Sequence, residues 1–178
     1  MNAEKTKSKS LNSIKPKIEK VTVNIGVGEA GERLEKAQSV LKDITGHSPI
    51  QTLSKITSKD WALRKRMPIG CKVTLRKNDA EKFLIEALKT RENKIAEYAF
   101  DEQGNISFGI PDHTLFASQK YNPNIGIFGM DVSVTMEKPG YRIKRRRLLR
   151  RKIPSRHKIK REETISYFHD KFKVEVIE

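Results

Sequence analysis

Short polar and basic side chains recur at alternate positions in three segments of this sequence, with apolar side chains between them. The polar positions are Thr22, Asn24, Lys72, Thr74, Arg76, Ser133 and Thr135. Hydroxyl, amide and cationic groups are suited to contacts with phosphate, ribose and base edges. An ordinary solvated sheet surface shows the same alternation, so the pattern alone leaves an RNA-binding face and a plain surface equally open.

A glycine-rich motif, Gly26 to Gly31, matches the G-x-G-x-x-G pattern of dinucleotide sites and lies between a predicted strand and a predicted helix. Such a site needs an acidic residue about 20 residues further on, and Pro49 to Leu53 contains none. Glu29, inside the motif, would repel a pyrophosphate. We therefore interpret the motif as a tight turn, and a nucleotide-dependent enzyme is a rival hypothesis only.

The sequence contains no clear catalytic or metal-binding constellation. Cys71 falls on the apolar side of its segment and is expected to be a small core residue. The histidines are isolated and lack the spacing of metal ligands: His47, His113, His157 and His169. We therefore predict no metal and no cofactor, and these residues offer no catalytic group. Trp61, the only tryptophan, lies in a basic stretch, where it could stack on a base or fold back onto the protein.

Positive charge is the strongest compositional signal. The 178 residues include 37 Lys+Arg and 22 Asp+Glu, a net charge of +15. Residues Lys138 to Arg161 hold 13 basic residues and no acid, and removing these 13 from the 37 leaves 24 basic against 22 acidic residues. Weaker concentrations span Lys55 to Lys77 and Lys5 to Lys20. An excess of this size indicates a polyanionic partner, either nucleic acid or an anionic membrane surface.

Composition also excludes several classes of protein. A single cysteine cannot form an internal disulfide, which excludes a disulfide-stapled secreted scaffold. No run approaches about 18 apolar residues, so we predict no membrane-spanning helix. The first 20 residues lack the apolar stretch of a secretory signal, and we predict a cytoplasmic protein.

Hydrophobic periodicity predicts the elements that carry these groups. Period-two alternation predicts strands over residues 21–25, 49–53, 71–75, 105–110 and 130–136. Apolar spacing of three and four predicts helices over 34–44, over 78 to about 98, and over 162–172, with residues 174–177 extended. Gly46 is expected to end the first helix.

Each predicted strand has one apolar and one polar face. We therefore predict an α+β fold, in which an antiparallel (mixed) β-sheet is covered by α-helices on one face and the polar face is open for RNA. Residues 1–137 are expected to form the α+β body. Residues 138–178 are expected to form a basic C-terminal extension with a terminal helix, as part of the same domain.

Two stretches carry a resemblance to a known family. They are V-T-V-N-I-G-V-G-E-A at 21–30 and M-P-I-G-C-K-V-T-L-R at 67–76. They resemble the signatures of the L-five family of large-subunit ribosomal proteins. Ser107 to Ile110 and Gly129 to Val134 resemble its later strands in order and spacing. The resemblance covers residues 14–137, and the basic remainder is similar to the archaeal and eukaryotic branch.

The resemblance implies a non-enzymatic structural protein with RNA partners and no membrane partner. The family binds 5S rRNA in the central protuberance, with large-subunit rRNA and ribosomal protein L-eighteen as neighbours. It also meets a small-subunit protein across an intersubunit bridge and approaches the P-site tRNA. Its RNA-recognising Asn, Gln and Thr correspond here to Asn24, His47 and Thr74. His47 departs from the family's Gln, although imidazole can still donate or accept a hydrogen bond.

Further candidates come from the polar strand face, the basic run and the basic loop. The additional RNA-binding candidates are Thr22, Lys72, Arg76, Arg145, Arg146 and Arg147. The basic loop 54–68 corresponds to the family's tRNA-facing loop, and its tRNA-contact candidates are Lys55, Lys59, Trp61, Arg64, Lys65 and Arg66. A free RNA-binding or RNA-processing factor that uses the same face is the main alternative.

Overall fold

The computed structural model describes residues 15–177. Most of the weak basic patch predicted over Lys5 to Lys20 lies outside these residues. The strands of the described chain are β1 (Lys17–Gly26), β2 (Ile50–Leu53), β3 (Pro68–Leu75), β4 (Lys94–Ala96), β5 (Ile106–Ile110), β6 (Met130–Glu137) and β7 (Glu175–Ile177). The α-helices are α1 (Glu32–Thr45), α2 (Lys77–Lys89) and α3 (Arg161–Phe172).

Strands β2, β3, β1, β6 and β5, in that order, form one antiparallel sheet. The inward side chains of the central strand, Val21, Val23 and Ile25, are at most 1% exposed. Because successive side chains of a strand point to opposite faces, the polar residues between them lie on the other face. The same parity holds in β3, β5 and β6, so the predicted alternation is confirmed.

Helices α1 and α2 pack on the apolar face of the sheet, against β3 and β1 respectively. α1 buries Leu34, Ala37 and Leu41, three positions of the predicted stripe. It ends at Thr45, and the capping residue Gly46 adopts φ 68° and donates its N–H to the Lys42 carbonyl at 2.8 Å. This left-handed position favours glycine because a Cβ there would be strained. The predicted α+β fold with helices on one face is confirmed.

The second helix is shorter than its periodicity predicts. α2 ends at Lys89, whereas the apolar spacing predicted a helix to about Tyr98. A turn follows in which Glu92 and Asn93 take positive φ values of 55° and 57°, and a right-handed helix cannot continue through such residues. Ile95 is buried as predicted, but it belongs to β4 and pairs in parallel with β7.

The C-terminal extension lies against the body through contacts of several kinds. The Thr164 hydroxyl donates to the Gly104 carbonyl at 3.1 Å, and the ring of Phe168 packs edge-on against Phe100. The Lys171 ammonium lies 2.5 Å from a Glu81 carboxylate oxygen on α2. Ile159, Phe168 and Val174 belong to the same buried cluster as the sheet. The predicted helix and the extended segment near the end are confirmed as α3 and β7.

Candidate nucleic-acid interface

The polar face of the sheet, here called the open face, carries its side chains in rows that run across the strands. Thr22 of β1 pairs with Thr74 of β3 on one side and with Ser133 of β6 on the other. The next row contains Lys72, Asn24 and Asp131 in the same strand order. Adjacent strands lie about 4.8 Å apart, so each row presents three polar groups within the width of a nucleotide.

The predicted recognition groups on this face are available for a ligand. Among residues 15–177, the side chains of Thr22, Asn24, Lys72 and Thr74 form no hydrogen bond or ion pair with another side chain or with the backbone. Thr74 and Lys72 are exposed, and Asn24 is half-buried between its neighbours. The strands fix the backbone beneath them, so these short groups have few conformations to lose on binding.

His47 lies at the margin of the open face. It belongs to the connection between α1 and β2, three residues before Ile50, which pairs with Lys72. Its Nε2 atom is 3.4 Å from Asp79 Oδ2 in the first turn of α2. Both side chains are about half exposed, so the imidazole is accessible to a ligand on the β2 side of the sheet.

Two of the predicted RNA-binding arginines are paired within the protein. Glu19 lies at a bulge in β1, and its side chain is only 9% exposed. Its Oε1 accepts a 2.5 Å hydrogen bond from Arg145 and lies 3.7 Å from Arg76. Arg145 also donates to Glu137, which Lys17 approaches at 3.6 Å. Arg145 therefore ties the basic run to two strands, a role that the sequence analysis missed because the acids lie far away in sequence.

The run Lys138 to Arg161, here called the basic segment, divides into paired and unpaired cations. Lys138 is buried and lies 2.6 Å from Glu163 of α3. Arg146 donates to the Leu149 carbonyl at 2.9 Å, whereas Arg147 is exposed and has no ion pair among the described residues. Arg146 and Arg147 are therefore available to phosphates, while Lys138 and Arg145 attach the segment to the body.

The basic loop is an ordered hairpin that continues β2 and β3. We call residues 54–67 the basic hairpin. Backbone hydrogen bonds join Ser54 to Met67 and Ser58 to Leu63, and the Thr57 hydroxyl accepts from the Lys65 N–H at 3.1 Å. Trp61 is in the turn at the tip and is 70% exposed, so it does not fold back onto the protein. The five predicted tRNA-contact cations are exposed and have no ion pair within residues 15–177.

The structure places on the open face two polar residues, Ser107 and Asp131, that the polar face predicted from the sequence does not include. Ser107 of β5 pairs with Ser133, and Asp131 of β6 pairs with Asn24. The signal was present in the sequence, because both residues alternate with buried ones in their strands. Asp131 is not among the candidates because an acidic residue on a surface that binds a polyanion is unfavourable, unless it accepts a hydrogen bond from a specific donor.

The remaining candidates for chemistry have structural roles. Cys71 is fully buried beneath the sheet, and burial raises the pKa of its thiol to about 11. His113 is 2% exposed and accepts a hydrogen bond from the Phe128 N–H. No group of His, Cys, Asp or Glu that could hold a metal occurs in the part of the chain that the structure describes. None of the helices found there has the length and apolarity to cross a bilayer.

The chain is similar to ribosomal proteins along most of its length. The family profile described as "Ribosomal protein L5" matches residues 14–64, and the profile for the C-terminal part of the same ribosomal family matches residues 68–165. Large ribosomal subunit protein uL5 from Methanococcus vannielii is 50% identical over 166 residues, 92% of each chain. Its counterpart from Thermoplasma volcanium is 52% identical over 161 residues, 90% of this chain and 95% of the relative. The similarity therefore extends into the basic segment.

Proposed function

The chain belongs to the ribosomal protein L5 family of the large ribosomal subunit, and we propose that its open face binds 5S rRNA in the central protuberance. Membership of this family makes it a structural, non-enzymatic constituent of the ribosome. The ribosome in the cytoplasm is then the place where it acts. The rival interpretation of Gly26 to Gly31 is a nucleotide-dependent enzyme, but the motif lies within residues 14–64, which the family profile matches, and we assign it to the family's structural signature.

The observation that carries the proposal is the row of unpaired polar groups on the open face. Asn24 and Thr74 correspond to the family's RNA-recognising residues, and both lie on this face rather than under the helices. They stand on the paired strands β1 and β3, in neighbouring rows of the ladder. A folded RNA that fits the sheet can therefore contact both groups at once. Thr22 lies beside Thr74 in one row, and Lys72 lies beside Asn24 in the next.

The basic segment supplies the electrostatic part of the proposed interaction. Arg146 and Arg147 neutralise phosphates of 5S rRNA or of the adjoining large-subunit rRNA, and they add affinity that falls with salt. Through Glu19, Arg145 positions the basic segment and Arg76 positions the end of β3. The N–H groups of these two arginines that do not contact Glu19 or Glu137 can still bind RNA. The contacts of α3 with the body support our assignment of the extension to the same domain.

The basic hairpin is the proposed contact with P-site tRNA. Its tip presents an exposed indole, and cations flank it on both arms of the hairpin. Trp61 stacks on an exposed base or ribose, while Lys55, Lys59, Arg64, Lys65 and Arg66 face the phosphates. Ribosomal protein L-eighteen and a small-subunit protein across the bridge are the proposed protein partners, by family resemblance.

The identity of the RNA is tested by recovering what the intact protein binds. Tagged full-length protein is expressed in a related archaeal host, and lysate is separated on a sucrose gradient. We expect migration with large subunits, and enrichment of 5S rRNA after release and washing in high salt. Recovery of a different RNA in fractions free of ribosomes would instead support the free RNA-binding factor. The Asn24→Ala, Thr74→Ala double variant is the control for the open face.

The hairpin contact is tested on assembled subunits. Trp61→Ala is expected to leave incorporation into the large subunit unchanged and to weaken P-site tRNA binding by roughly tenfold, since loss of base stacking costs about 1–3 kcal/mol. Tyr98→Ala is the matched control, because Tyr98 is also a highly exposed aromatic residue and lies outside the hairpin. Equal tRNA affinities for wild type and Trp61→Ala would contradict the contact.

A further inference from the structure

Asp131 is an acid on the proposed RNA-binding surface, and its charge has no partner. β6 carries two acids on its polar side. Glu137 is neutralised by Arg145 and Lys17, whereas Asp131 forms no ion pair or side-chain hydrogen bond among residues 15–177. An unpaired carboxylate beside phosphates lowers affinity for every RNA, unless it accepts hydrogen bonds from a specific donor.

The surroundings of Asp131 form a shallow depression of about 370 Å³ between β5 and β6. Its walls are Ser107 and Ser133, which face each other in the ladder, and its floor is Gly109, the pairing partner of Asp131. A Cβ built on Gly109 would meet only Asp131 Oδ1, at 3.9 Å. The missing side chain therefore opens space beside the carboxylate, and two hydroxyls line that space.

The hydrogen-bonding capacity of the site selects the ligand. An ionised carboxylate only accepts, so an RNA that covers the exposed Asp131 and displaces its water must supply donors to both oxygens. The Watson–Crick edge of guanine offers two adjacent donors, N1–H and N2–H. The corresponding edges of adenine and cytosine offer one amino group beside an acceptor nitrogen, and that of uracil offers one N3–H between two carbonyls. Guanine alone among the four bases satisfies both oxygens in one orientation.

We propose that the depression at Gly109 and Asp131 binds the Watson–Crick edge of an unpaired guanine, with Asp131 accepting hydrogen bonds from N1–H and N2–H. This site rests on the proposed RNA-binding function and names a base that the open face reads. Asn24 lies next to Asp131 in its row, so the site continues the face that carries the recognition residues.

A cation stands at the rim of the site for the same nucleotide. Arg91 Nη1 donates to the Gly109 carbonyl at 3.1 Å, and Arg91 has no ion pair within the described part of the chain. The bond holds the guanidinium at the β5 edge and leaves its other N–H groups available to a phosphate. The depression therefore offers acceptors for the base and a donor for the backbone of one nucleotide.

The first test uses the sign of a charge change. Asp131→Asn removes a negative charge from a face that binds a polyanion, so simple electrostatics predicts tighter binding to every RNA. We expect at least tenfold weaker binding to 5S rRNA and unchanged or tighter binding to poly(U), which contains no guanine. Asp43→Asn on α1 is the control, since Asp43 is exposed, unpaired among the described residues and remote from the open face. Tighter binding of Asp131→Asn to 5S rRNA would overturn the site.

The second test identifies the base and excludes a cation in its place. In transcripts of 5S rRNA, inosine replaces guanosine sparsely and at random, and each replacement removes one N2 amino group. Wild type is expected to select against inosine at one unpaired position, and Asp131→Asn to lose that selection. Gly109→Ala fills the floor without a close contact and should also lose it. Selection retained by both variants overturns the site, as does a wild-type Mg²⁺ dependence that Asp131→Asn abolishes.

The two proposals fail separately. If Asn24→Ala weakens 5S rRNA binding and Asp131→Asn does not, the open face binds RNA without reading guanine. If neither variant weakens binding while the subunit still incorporates the protein, the open face itself is the wrong surface.

Discussion

The open face and the basic segment carry the same class of predicted contact but are built in opposite ways. On the open face, short side chains stand on four hydrogen-bonded strands, and those of Thr22, Asn24 and Thr74 form no internal bond among residues 15–177. The basic segment has long side chains on a backbone whose regular structure is two short 3₁₀ turns, Tyr141–Lys144 and Ser155–His157. Part of its charge is paired with Glu19, Glu137 and Glu163.

This difference predicts that the open face recognises the shape of the RNA and that the basic segment neutralises its charge. Groups fixed by a sheet lose little conformational freedom on binding, so they can favour one RNA geometry over others. Exposed arginines lose more freedom, and they release counterions from any phosphate chain with little regard to sequence. Specificity should therefore follow the open face, and salt dependence should follow the basic segment.

The largest expected effect comes from removing the proposed recognition groups of the open face. Asn24→Ala with Thr74→Ala should weaken 5S rRNA binding by about 100-fold, since each lost hydrogen bond to RNA costs about 1–2 kcal/mol. The slope of log affinity against log salt should stay the same, because no cation is removed. Filter binding across a salt series measures both quantities. Asn78→Ala with Ser39→Ala, two exposed polar residues of the helical layer, is the matched control.

Removing unpaired cations from the basic segment should give the opposite signature. Arg146→Gln with Arg147→Gln should reduce the salt slope by about 1.4 to 1.8, and affinity at 0.1 M salt by about 25- to 60-fold. Discrimination between 5S rRNA and an unrelated RNA should change little. Lys82→Gln with Lys89→Gln on α2 makes the same change in net charge away from the segment. An equal change of slope in this control pair would show that the slope depends on the net charge of the protein and not on these two arginines.

Arg145 should behave as a structural residue and so divide the basic segment in two. Arg145→Ala leaves Glu19, which is nearly buried, with only the 3.7 Å contact to Arg76, and it removes a partner from Glu137. We expect a loss of about 1–2 kcal/mol in the free energy of unfolding, measured by urea denaturation. Arg147→Ala should cost less than about 0.5 kcal/mol. Equal free energies of unfolding for the two variants would contradict the distinction between paired and unpaired cations in the basic segment.

The smallest effect tests the rigidity of the strand beneath the open face. Burial raises the pKa of Cys71 to about 11, so folding favours the protonated thiol. This stabilisation is complete below the unfolded-state pKa near 8.5–9 and is lost as pH rises towards the folded value. The stability of wild type relative to Cys71→Ala should therefore fall by about 1 kcal/mol between pH 7.5 and pH 9.5. A constant difference, with fast thiol labelling in the native protein, would show that water reaches this strand.

The sequence predicted the elements whose pattern repeats. Alternation assigned both faces of the strands, and the three-four spacing assigned α1 and α3, because burial of one face selects local periodicity directly. It overextended α2, since Ile95 continues the apolar spacing while the turn at Glu92 and Asn93 depends on pairing between β4 and β7. Asn24 and Thr74 were identified as candidates from the resemblance and fall on the open face as expected, although their contact with RNA stays a prediction.

By itself, the sequence determined that one face of the sheet would be polar, that the charge would concentrate in one segment, and which family the chain belongs to. These properties are local or are sums over residues. Only the tertiary structure decided which cations are free: Glu19 meets Arg145 across 126 positions, and Lys138 meets Glu163 across 25. It also placed Asp131 between Asn24 and Gly109. Charge pairing and neighbouring rows depend on distance in space, and strand order and register set that distance.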